Sequence, residues 1–192
     1  MMFGDNEHAA PSAWTEIRAR STALGFDMPS EANTGALLRL LAASKPGGRM
    51  LELGTGTGLA TAWLMDGLDA SASLVSVDVD PAVQDVARGH LKDSRLRFVL
   101  ADGLDYVREQ APESFDLIFA DAWPGKYEGL DETLALLKRG GLYVIDDMLP
   151  QPNWPEGHQA RVDDLAARLE SRPDLIVTRL AWASGLIVGA KA

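Results

Sequence analysis

The sequence predicts an α/β fold: a doubly wound, mostly parallel seven-stranded sheet that ends in a C-terminal antiparallel hairpin. From about residue 30, short β-branched apolar segments alternate with longer segments of helical periodicity, which is typical of helices packed around a parallel sheet. The last two apolar segments are separated only by Ala183, Ser184 and Gly185. This gap is too short for a parallel crossover but suits a hairpin.

Seven apolar segments are expected to be the strands. The first five are bounded by Gly, Pro, Asp or Ser, and several are apolar on both faces, as strands covered by helices should be. The expected strands are residues 49–53, 74–78, 96–100, 115–120, 142–146, 175–182 and 186–190.

Helices are expected between these strands. They are placed near residues 59–65, 81–91, 103–110 and 128–138. Asp80 and Pro81 are typical of an N-cap followed by proline at the first helical position. A Pro-rich loop over residues 150–155 then precedes one more helix, whose apolar side chains share one face: Val162, Leu165, Ala166 and Leu169.

The N-terminal 29 residues precede this alternating pattern and form a loosely amphipathic segment. Its apolar side chains are Trp14, Ile17, Leu24 and Phe26. Two interpretations stay open, a lid over the functional site or a helix packed on the outside of the sheet. Residues 1–192 are expected to form a single domain, since no repeat or second boundary is visible and the length is ordinary for one domain.

Composition narrows the classes of function. The chain has no cysteine, which excludes disulfides, thiolate metal sites and a cysteine nucleophile. The first residues lack the basic and apolar regions of a signal peptide, and no apolar run is long enough to span a membrane, so we expect a cytoplasmic protein without a membrane partner. The net charge of −10 opposes binding to a nucleic-acid backbone and favours a small-molecule partner.

The strongest motif joins the first strand to the next helix. It contains Gly54, Thr55, Gly56, Thr57 and Gly58. Such a turn lets the backbone approach a ligand closely, next to free N–H groups at a helix N-terminus. The dinucleotide spacing Gly-x-Gly-x-x-Gly requires glycine where Leu59 stands, so pyrophosphate binding is disfavoured. Glu52, before the first glycine, suits a cationic ammonium or sulfonium group.

Acidic residues follow the second and third strands. Asp78, with Val79 after it, is placed to accept hydrogen bonds from ribose hydroxyls, as in the crevice at the carboxyl ends of parallel strands. Asp102, next to Gly103, has two interpretations: it accepts from an exocyclic amino group, or it caps the following helix. Together with Glu52 at the first strand, these residues give one acid for each of the first three strands. This succession is more specific than any one of the acids.

These motifs resemble those of class I S-adenosylmethionine-dependent methyltransferases, and among them the catechol and caffeoyl-coenzyme A type O-methyltransferases. The resemblance rests on residues 52–58, 78, 102, 115–123, 136–147 and 184–191. It implies a Rossmann-like methyltransferase fold whose glycine loop holds the methionine end of S-adenosylmethionine. It also implies that Asp78 contacts ribose, Asp102 lies near adenine, Asp121 lies near the methyl donor and Trp123 packs against adenine.

In the metal-dependent branch of this family, the resemblance implies a magnesium site after strands four and five. The matching positions are Asp121, Asp146 and Asp147, where a third acid replaces the family's asparagine. Neighbouring carboxylates repel one another unless a cation or protons intervene, and magnesium prefers oxygen ligands. Pro124 occupies the position of the family's catalytic lysine. Lys126, two residues later, is expected to be exposed, with the alternative that it reaches inward; metal binding is left open.

Candidate acid–base groups are few. Asp121 and Lys126 are the candidate catalytic residues, and His158 is the one histidine whose position suits a general base. Trp154 and Trp182 are interpreted as lining an apolar substrate pocket or belonging to the core, and Trp182 is expected in the core.

We therefore expect methyl transfer from S-adenosylmethionine to an oxygen of a small molecule, with magnesium as an open second cofactor and a homodimer as an open assembly. Three alternatives are retained. They are a cofactor-binding protein of this fold without methyltransferase activity, a nicotinamide-dependent oxidoreductase, and aminopropyl transfer on the same fold.

Overall fold

The computed structural model describes residues 9–192. The expected absence of a signal peptide concerns the first residues of the chain and lies outside this range, as does the start of the N-terminal segment. The helices are α1 Trp14–Leu24, α2 Ala32–Ala43, α3 Leu59–Gly67, α4 Pro81–His90, α5 Gly103–Arg108, α6 Leu130–Ala135 and α7 His158–Glu170. The strands are β1 Arg49–Leu53, β2 Ser73–Asp78, β3 Leu96–Leu100, β4 Phe115–Ala120, β5 Leu137–Ile145, β6 Leu175–Leu180 and β7 Leu186–Lys191.

The strands form one sheet in the order β3-β2-β1-β4-β5-β7-β6. Strands β1 to β5 are parallel, and β7 lies antiparallel to both β5 and β6. The predicted fold class, including the terminal hairpin, is confirmed. Chain order reverses between β1 and β4, so the loops after these strands diverge and leave a crevice at their carboxyl ends.

Apolar side chains of the strands alternate between two cores. Ile118 belongs to the cluster under α5, α6 and α7, whereas its neighbours Leu117 and Phe119 belong to the cluster under α2 and α3. Side chains alternate across a strand, and a sheet covered on both faces therefore buries both sets. The predicted apolar face of α7 is also confirmed, since all four of its named side chains are buried.

The region before β5 differs from the prediction. A helix was expected through residue 138, but α6 ends at Ala135, and β5 already begins at Leu137, which pairs with Phe115 of β4. The helical periodicity of this segment is overridden by pairing with a distant strand. Helix α2, which was not predicted from the sequence, packs closely on α3.

Within the described residues, the N-terminal segment forms a helix packed on other helices, and its role as a lid stays a prediction. Helix α1 lies against α3 and α4, where Ile17 packs with Leu59 and Ala62. After α1 ends, Phe26 reaches the glycine loop, and a Cβ atom built on Gly56 would lie 3.1 Å from its ring. Within residues 9–192, the helices are too short or too polar to cross a lipid bilayer.

Two glycines inside helices provide a test of this packing. A Cβ on Gly35 of α2 would lie 2.2 Å from the indole of Trp63, which is fully buried, whereas a Cβ on Gly89 of α4 would meet no atom within 4 Å. We expect Gly35→Ala to lower the free energy of unfolding by about 1–3 kcal/mol through overpacking. Gly89→Ala should raise the free energy of unfolding by roughly 0.5–1 kcal/mol, because alanine lowers the conformational entropy of the unfolded chain. Urea denaturation of both variants measures these shifts. A change of the free energy of unfolding in the same direction in both variants would contradict this packing.

Candidate functional site

The glycine loop follows β1 and runs directly into α3. Gly54 has φ of 98°, a conformation that favours glycine. Its N–H donates to Val77 O at 2.9 Å, and Asp121 N–H donates to Leu53 O at 2.9 Å, so the loop is fixed between the ends of β2 and β4. The carboxyl ends of β1, β2 and β4 therefore meet at one place, as predicted.

The threonines of the loop point into the protein. The Thr55 hydroxyl hydrogen-bonds Ser76 at 2.7 Å, and the Thr57 hydroxyl donates to Ser21 at 3.0 Å. Both side chains are buried. If the loop holds a ligand, these two residues can contribute their backbone groups, whereas their hydroxyls stabilise the loop itself.

Glu52 lies beneath the loop and is fully buried. Its Oε2 accepts hydrogen bonds from the hydroxyls of Thr61, at 2.6 Å, and Ser76. Its Oε1 has no hydrogen-bond partner among the described residues. Burial raises the pKa of Glu52 to about 8, and the nearby charge of Asp78 adds to the rise. Direct contact between this carboxyl group and a ligand stays a prediction.

Asp78 connects β2 to the glycine loop. Its Oδ2 accepts from the Gly56 N–H at 2.8 Å, and its Oδ1 accepts from the Asp80 N–H at 2.9 Å. Each carboxylate oxygen has further lone pairs, so the group can still accept from ribose hydroxyls. Val79 beside it is exposed. This half-buried aspartate thus lies at the edge of the crevice, with its ligand role a prediction.

Asp102 caps α5, the second of its two interpretations. Its Oδ1 accepts from the N–H groups of Leu104 and Asp105 at 2.8 and 3.0 Å. Capping uses one oxygen, and the role near adenine stays a prediction. Next to it, Gly103 lies close to Pro124, since a Cβ there would be 2.9 Å from the proline ring. The loops after β3 and β4 therefore contact each other.

Asp121 and Asp146 directly follow the neighbouring strands β4 and β5. Ser30 donates to Asp121 Oδ2 at 3.1 Å, while Asp146 is buried and its Oδ1 accepts from the Ser184 hydroxyl and, at 2.8 Å, from the Asp147 N–H. Burial raises the pKa of Asp146 to about 6. Burial and the charge of Asp146 also raise the pKa of Asp121.

Lys126 reaches inward, and the expectation of an exposed lysine is wrong. Only 5% of the residue is exposed, and its ammonium group donates to Asp146 O at 2.8 Å. The turn at Gly125, which has φ of 87°, directs the chain inward, and the Tyr143 hydroxyl donates to the Gly125 carbonyl. Two residues after the position that the resemblance assigns to the family's lysine, the chain thus places an ammonium group on the backbone carbonyl of Asp146.

The three acids proposed as metal ligands are not assembled as a ligand set. Across residues 9–192, no three His, Cys, Asp or Glu side chains are placed so that they could hold an ion together. Asp146 is engaged by Ser184 and Asp147, and Asp147 has a positive φ of 56°. A cation site made of Asp121, Asp146 and Asp147 therefore does not fit this arrangement.

Three aromatic side chains surround His158 at the start of α7. His158 Nε2 lies 3.2 Å from the Tyr127 hydroxyl, and its ring centroid is 4.6 Å from that of Trp154. Trp123 is half-exposed and lies under the guanidinium of Arg161, 5.0 Å from its ring centroid. Burial and the charge of Lys126 lower the pKa of His158. The contact of Trp123 with adenine stays a prediction.

Trp182 is not in the core, contrary to expectation. It is 39% exposed and its indole N–H donates to the Asn33 carbonyl at the start of α2, at 2.9 Å. The prediction failed because β6 ends at Leu180, two residues earlier than expected. Sequence reasoning also missed Ser30, Tyr127 and Ser184, single polar residues whose roles come from distant parts of the chain and leave no local signal.

Comparison with known proteins is consistent with this geometry. A family model described as "Methyltransferase domain" matches residues 51–148, the range from β1 to the loop after β5. A Mycobacterium tuberculosis protein named "Putative O-methyltransferase" is 33% identical over 134 residues, which are 67% of this chain and 59% of that protein. A similarly named Mycolicibacterium smegmatis protein is 30% identical over 80% of this chain and 70% of its own length. The chain therefore spans about 59% of the length of the first of these relatives.

Solved structures share the whole architecture. A crystal structure of a Corynebacterium glutamicum protein has a TM-score of 0.83 at 26% identity and covers 97% of this chain and 92% of that one. The O-methyltransferase from Bacillus cereus, solved in complex with SAH, has a TM-score of 0.81 at 20% identity, covering 100% of this chain and 94% of that one. Because the Bacillus cereus protein is only 20% identical to this chain, its similarity shows a shared fold and no more.

Proposed function

This chain belongs to the methyltransferase domain family, and from that premise we propose that it transfers a methyl group from S-adenosylmethionine to an oxygen atom of a small molecule. The family match confirms the resemblance to class I S-adenosylmethionine-dependent methyltransferases. Because the chain spans only part of the first relatives, its own activity, cofactor and acceptor are proposals.

One observation carries the proposal: the Asp78 carboxylate holds the backbone of the glycine loop at the crevice, through the Gly56 N–H. A nucleoside with a cationic amino-acid tail fits such a crevice, since Asp78 can accept from ribose hydroxyls and the loop offers backbone groups without side chains. Asp121, directly after β4, is the carboxyl group that would face a sulfonium, whose positive charge would favour the ionised form against the effect of burial. The donor set thus fits S-adenosylmethionine.

When bound, S-adenosylmethionine supplies an electrophilic methyl group: a C–O bond forms, the C–S bond breaks and its electron pair stays on sulfur. The chain contributes position and charge, which account for much of such a rate acceleration. The acceptor's proton must pass to a base. His158 suits this role because its lowered pKa keeps the ring neutral near pH 7.

Binding of S-adenosylhomocysteine tests the cofactor site. We expect Asp78→Ala to weaken binding by about 1–3 kcal/mol, the scale of lost hydrogen bonds to a charged acceptor. Isothermal titration measures the change, with Asp163→Ala, an exposed aspartate of α7, as the matched control that should bind normally. Unchanged affinity in Asp78→Ala would remove this residue from the site.

Turnover separates an enzyme from a binding protein of the same fold. We expect formation of S-adenosylhomocysteine when the chain is incubated with S-adenosylmethionine and a panel of phenols and carboxylic acids. Tight cofactor binding without product for any acceptor would favour the non-catalytic alternative. Binding of a nicotinamide cofactor in place of S-adenosylmethionine would overturn the proposal.

A further inference from the structure

We propose that the cleft between α7 and the loop after β4 binds a carboxylate group of a small molecule, which Arg161 and Arg168 of α7 hold. This is a second ligand site, distinct from the glycine loop. That the carboxylate belongs to the methyl acceptor rests on the proposed function, whereas binding of the carboxylate can be measured without turnover.

The cleft has a volume of about 330 Å³, which is within the range of small-molecule sites. Its lining includes Lys126 and Tyr127 of the loop and Arg161, Asp164, Leu165 and Arg168 of α7. The residues from α7 are spaced by one or two helical turns and therefore share one face of the helix. The loop begins at Asp121, directly after β4. The cleft therefore shares a loop with the proposed methyl-transfer site.

Positive charge prevails in this cleft, although the chain as a whole has a net charge of −10. The two guanidinium groups of α7 are accompanied by one carboxylate, that of Asp164, and Lys126 of the loop adds an ammonium group. Asp164 can offset only one of the guanidinium groups. A concave surface with an excess of one sign of charge attracts ligands of the opposite sign. A single carboxylate balances the positive charge that remains on this face of α7.

The two arginines of the cleft keep their hydrogen-bond donors available. Within residues 9–192, the guanidinium groups of Arg161 and Arg168 form no ion pair or hydrogen bond. The next two arginines along the chain, Arg172 and Arg179, are by contrast paired with carboxylates. A guanidinium group presents a planar set of N–H donors that matches a carboxylate in a bidentate arrangement. Arg161 and Arg168 can therefore donate to a ligand without breaking a contact of the protein.

Aromatic side chains fix the surroundings of these donors. The guanidinium of Arg161 lies over Trp123, 5.0 Å from its ring centroid, and this cation–π contact positions the charge without occupying the N–H groups. Tyr127 makes an edge contact with the same ring at 5.8 Å, and its hydroxyl lies 3.2 Å from His158 Nε2. Tyr127 and the buried Leu165 offer apolar surface beside the charges. A small acid with an apolar body therefore fits the cleft.

Ligand-observed NMR titration with benzoate and benzamide tests the site. The two probes have nearly the same shape, but only benzoate is charged. We expect wild-type protein to bind benzoate about tenfold more tightly than benzamide, the scale of a charge-assisted hydrogen bond. Arg161→Gln and Arg168→Gln should each remove most of this preference. Equal or undetectable binding of the two probes to wild type would overturn the proposal, as would unchanged benzoate affinity in both folded variants.

Arg18→Gln is the matched control for the loss of an arginine. Arg18 is an exposed residue of α1 and also lies over a tryptophan ring, that of Trp14, at 5.1 Å. It does not line the cleft, so this variant should bind benzoate like wild type. A loss of affinity equal to that of Arg161→Gln would show that any positive charge has this effect, which would overturn the proposal.

The opposite change should give a gain of affinity, which remains measurable even if an arginine variant fails to fold. Asp164→Asn removes the carboxylate of the cleft, so benzoate should bind several-fold more tightly than to wild type. Asp163→Asn removes the same charge one residue earlier, where the carboxylate accepts from Gln159 at 2.9 Å and does not line the cleft. Equal benzoate affinities in these two variants would contradict the proposed site.

Methyl transfer to meta-hydroxybenzoate and meta-hydroxybenzamide shows which molecule carries the carboxylate. If it is the acceptor, meta-hydroxybenzoate should have the higher kcat/KM, and Arg168→Gln should lower this value through KM with kcat nearly unchanged. Arginine-dependent benzoate binding without a preference in turnover would assign the site to a separate carboxylate ligand. Failure of the proposed methyl transfer would appear as absent S-adenosylhomocysteine formation and would leave the benzoate titration unaffected, so the two failures are distinguishable.

Discussion

Replacement of Gly54 by alanine is expected to lower the free energy of unfolding by about 2–5 kcal/mol. Gly54 has φ of 98°, and a Cβ there would lie 2.7 Å from the backbone oxygen of Asp121. The positive φ costs about 1–2 kcal/mol for an L-residue, and overpacking adds roughly 1–3 kcal/mol. The obstacle is backbone at the end of β4, which cannot rotate away as a flexible side chain would.

The same change should disrupt the cofactor site. To make room for the new Cβ, either the glycine loop or the end of β4 must move, and Asp121 moves with the latter. We expect S-adenosylhomocysteine affinity to fall more than tenfold, measured by isothermal titration on protein that circular dichroism shows to be folded.

Gly140→Ala is the control for the backbone contribution. Gly140 also has a positive φ, 73°, but a Cβ there would meet no atom within 4 Å. We expect a loss of only about 1–2 kcal/mol from its conformation, with cofactor affinity unchanged. Equal losses in the two variants would mean that the contact between the loop and β4 is not what requires glycine at position 54.

The buried carboxyl of Glu52 should make stability fall as pH rises. Its pKa is raised to about 8 in the folded protein, from an ordinary value of 4.5, so between these values the folded state holds a proton that the unfolded chain releases. The free energy of unfolding from this group therefore decreases with increasing pH across this window, by about 1.4 kcal/mol per pH unit. The stability contributed at pH 4.5 should be lost by pH 8.

Glu52→Gln removes this ionisation while keeping the shape of the side chain. Other groups, including Asp146 with its raised pKa, contribute to both proteins, so the difference between the two curves isolates Glu52. From pH 4.5 to 8 we expect the variant to gain stability relative to wild type by on the order of 4 kcal/mol, measured by urea denaturation at several pH values.

Glu16→Gln, at an exposed position of α1, is the matched control. The decline of stability with pH should persist in this variant. A parallel pair of curves for wild type and Glu52→Gln would show that Glu52 is ionised in the folded protein at neutral pH, with the unpartnered Oε1 satisfied in some other way.

The sequence by itself predicted the sheet, which the structure confirms, and a candidate site, which stays a prediction. Apolar periodicity and glycine are local signals, so the strands, the terminal hairpin and the glycine loop at residues 54–58 could be predicted. The acids Asp78, Asp102 and Asp121 follow successive strands, and the parallel topology then requires that they lie at one edge of the sheet. The interpretation as a methyltransferase depended on these features together with the resemblance they carry.

Tertiary structure alone decided which side chains are buried and what they contact. Lys126 and Asp146 are 20 residues apart, and Ser184 is 38 residues beyond Asp146, so no local pattern shows that they meet. The exposure of Trp182 similarly depends on where β6 ends in its pairing with β7. Burial of a polar group is decided by whether distant partners compensate its loss of water, and the chain brings such partners together only when it folds.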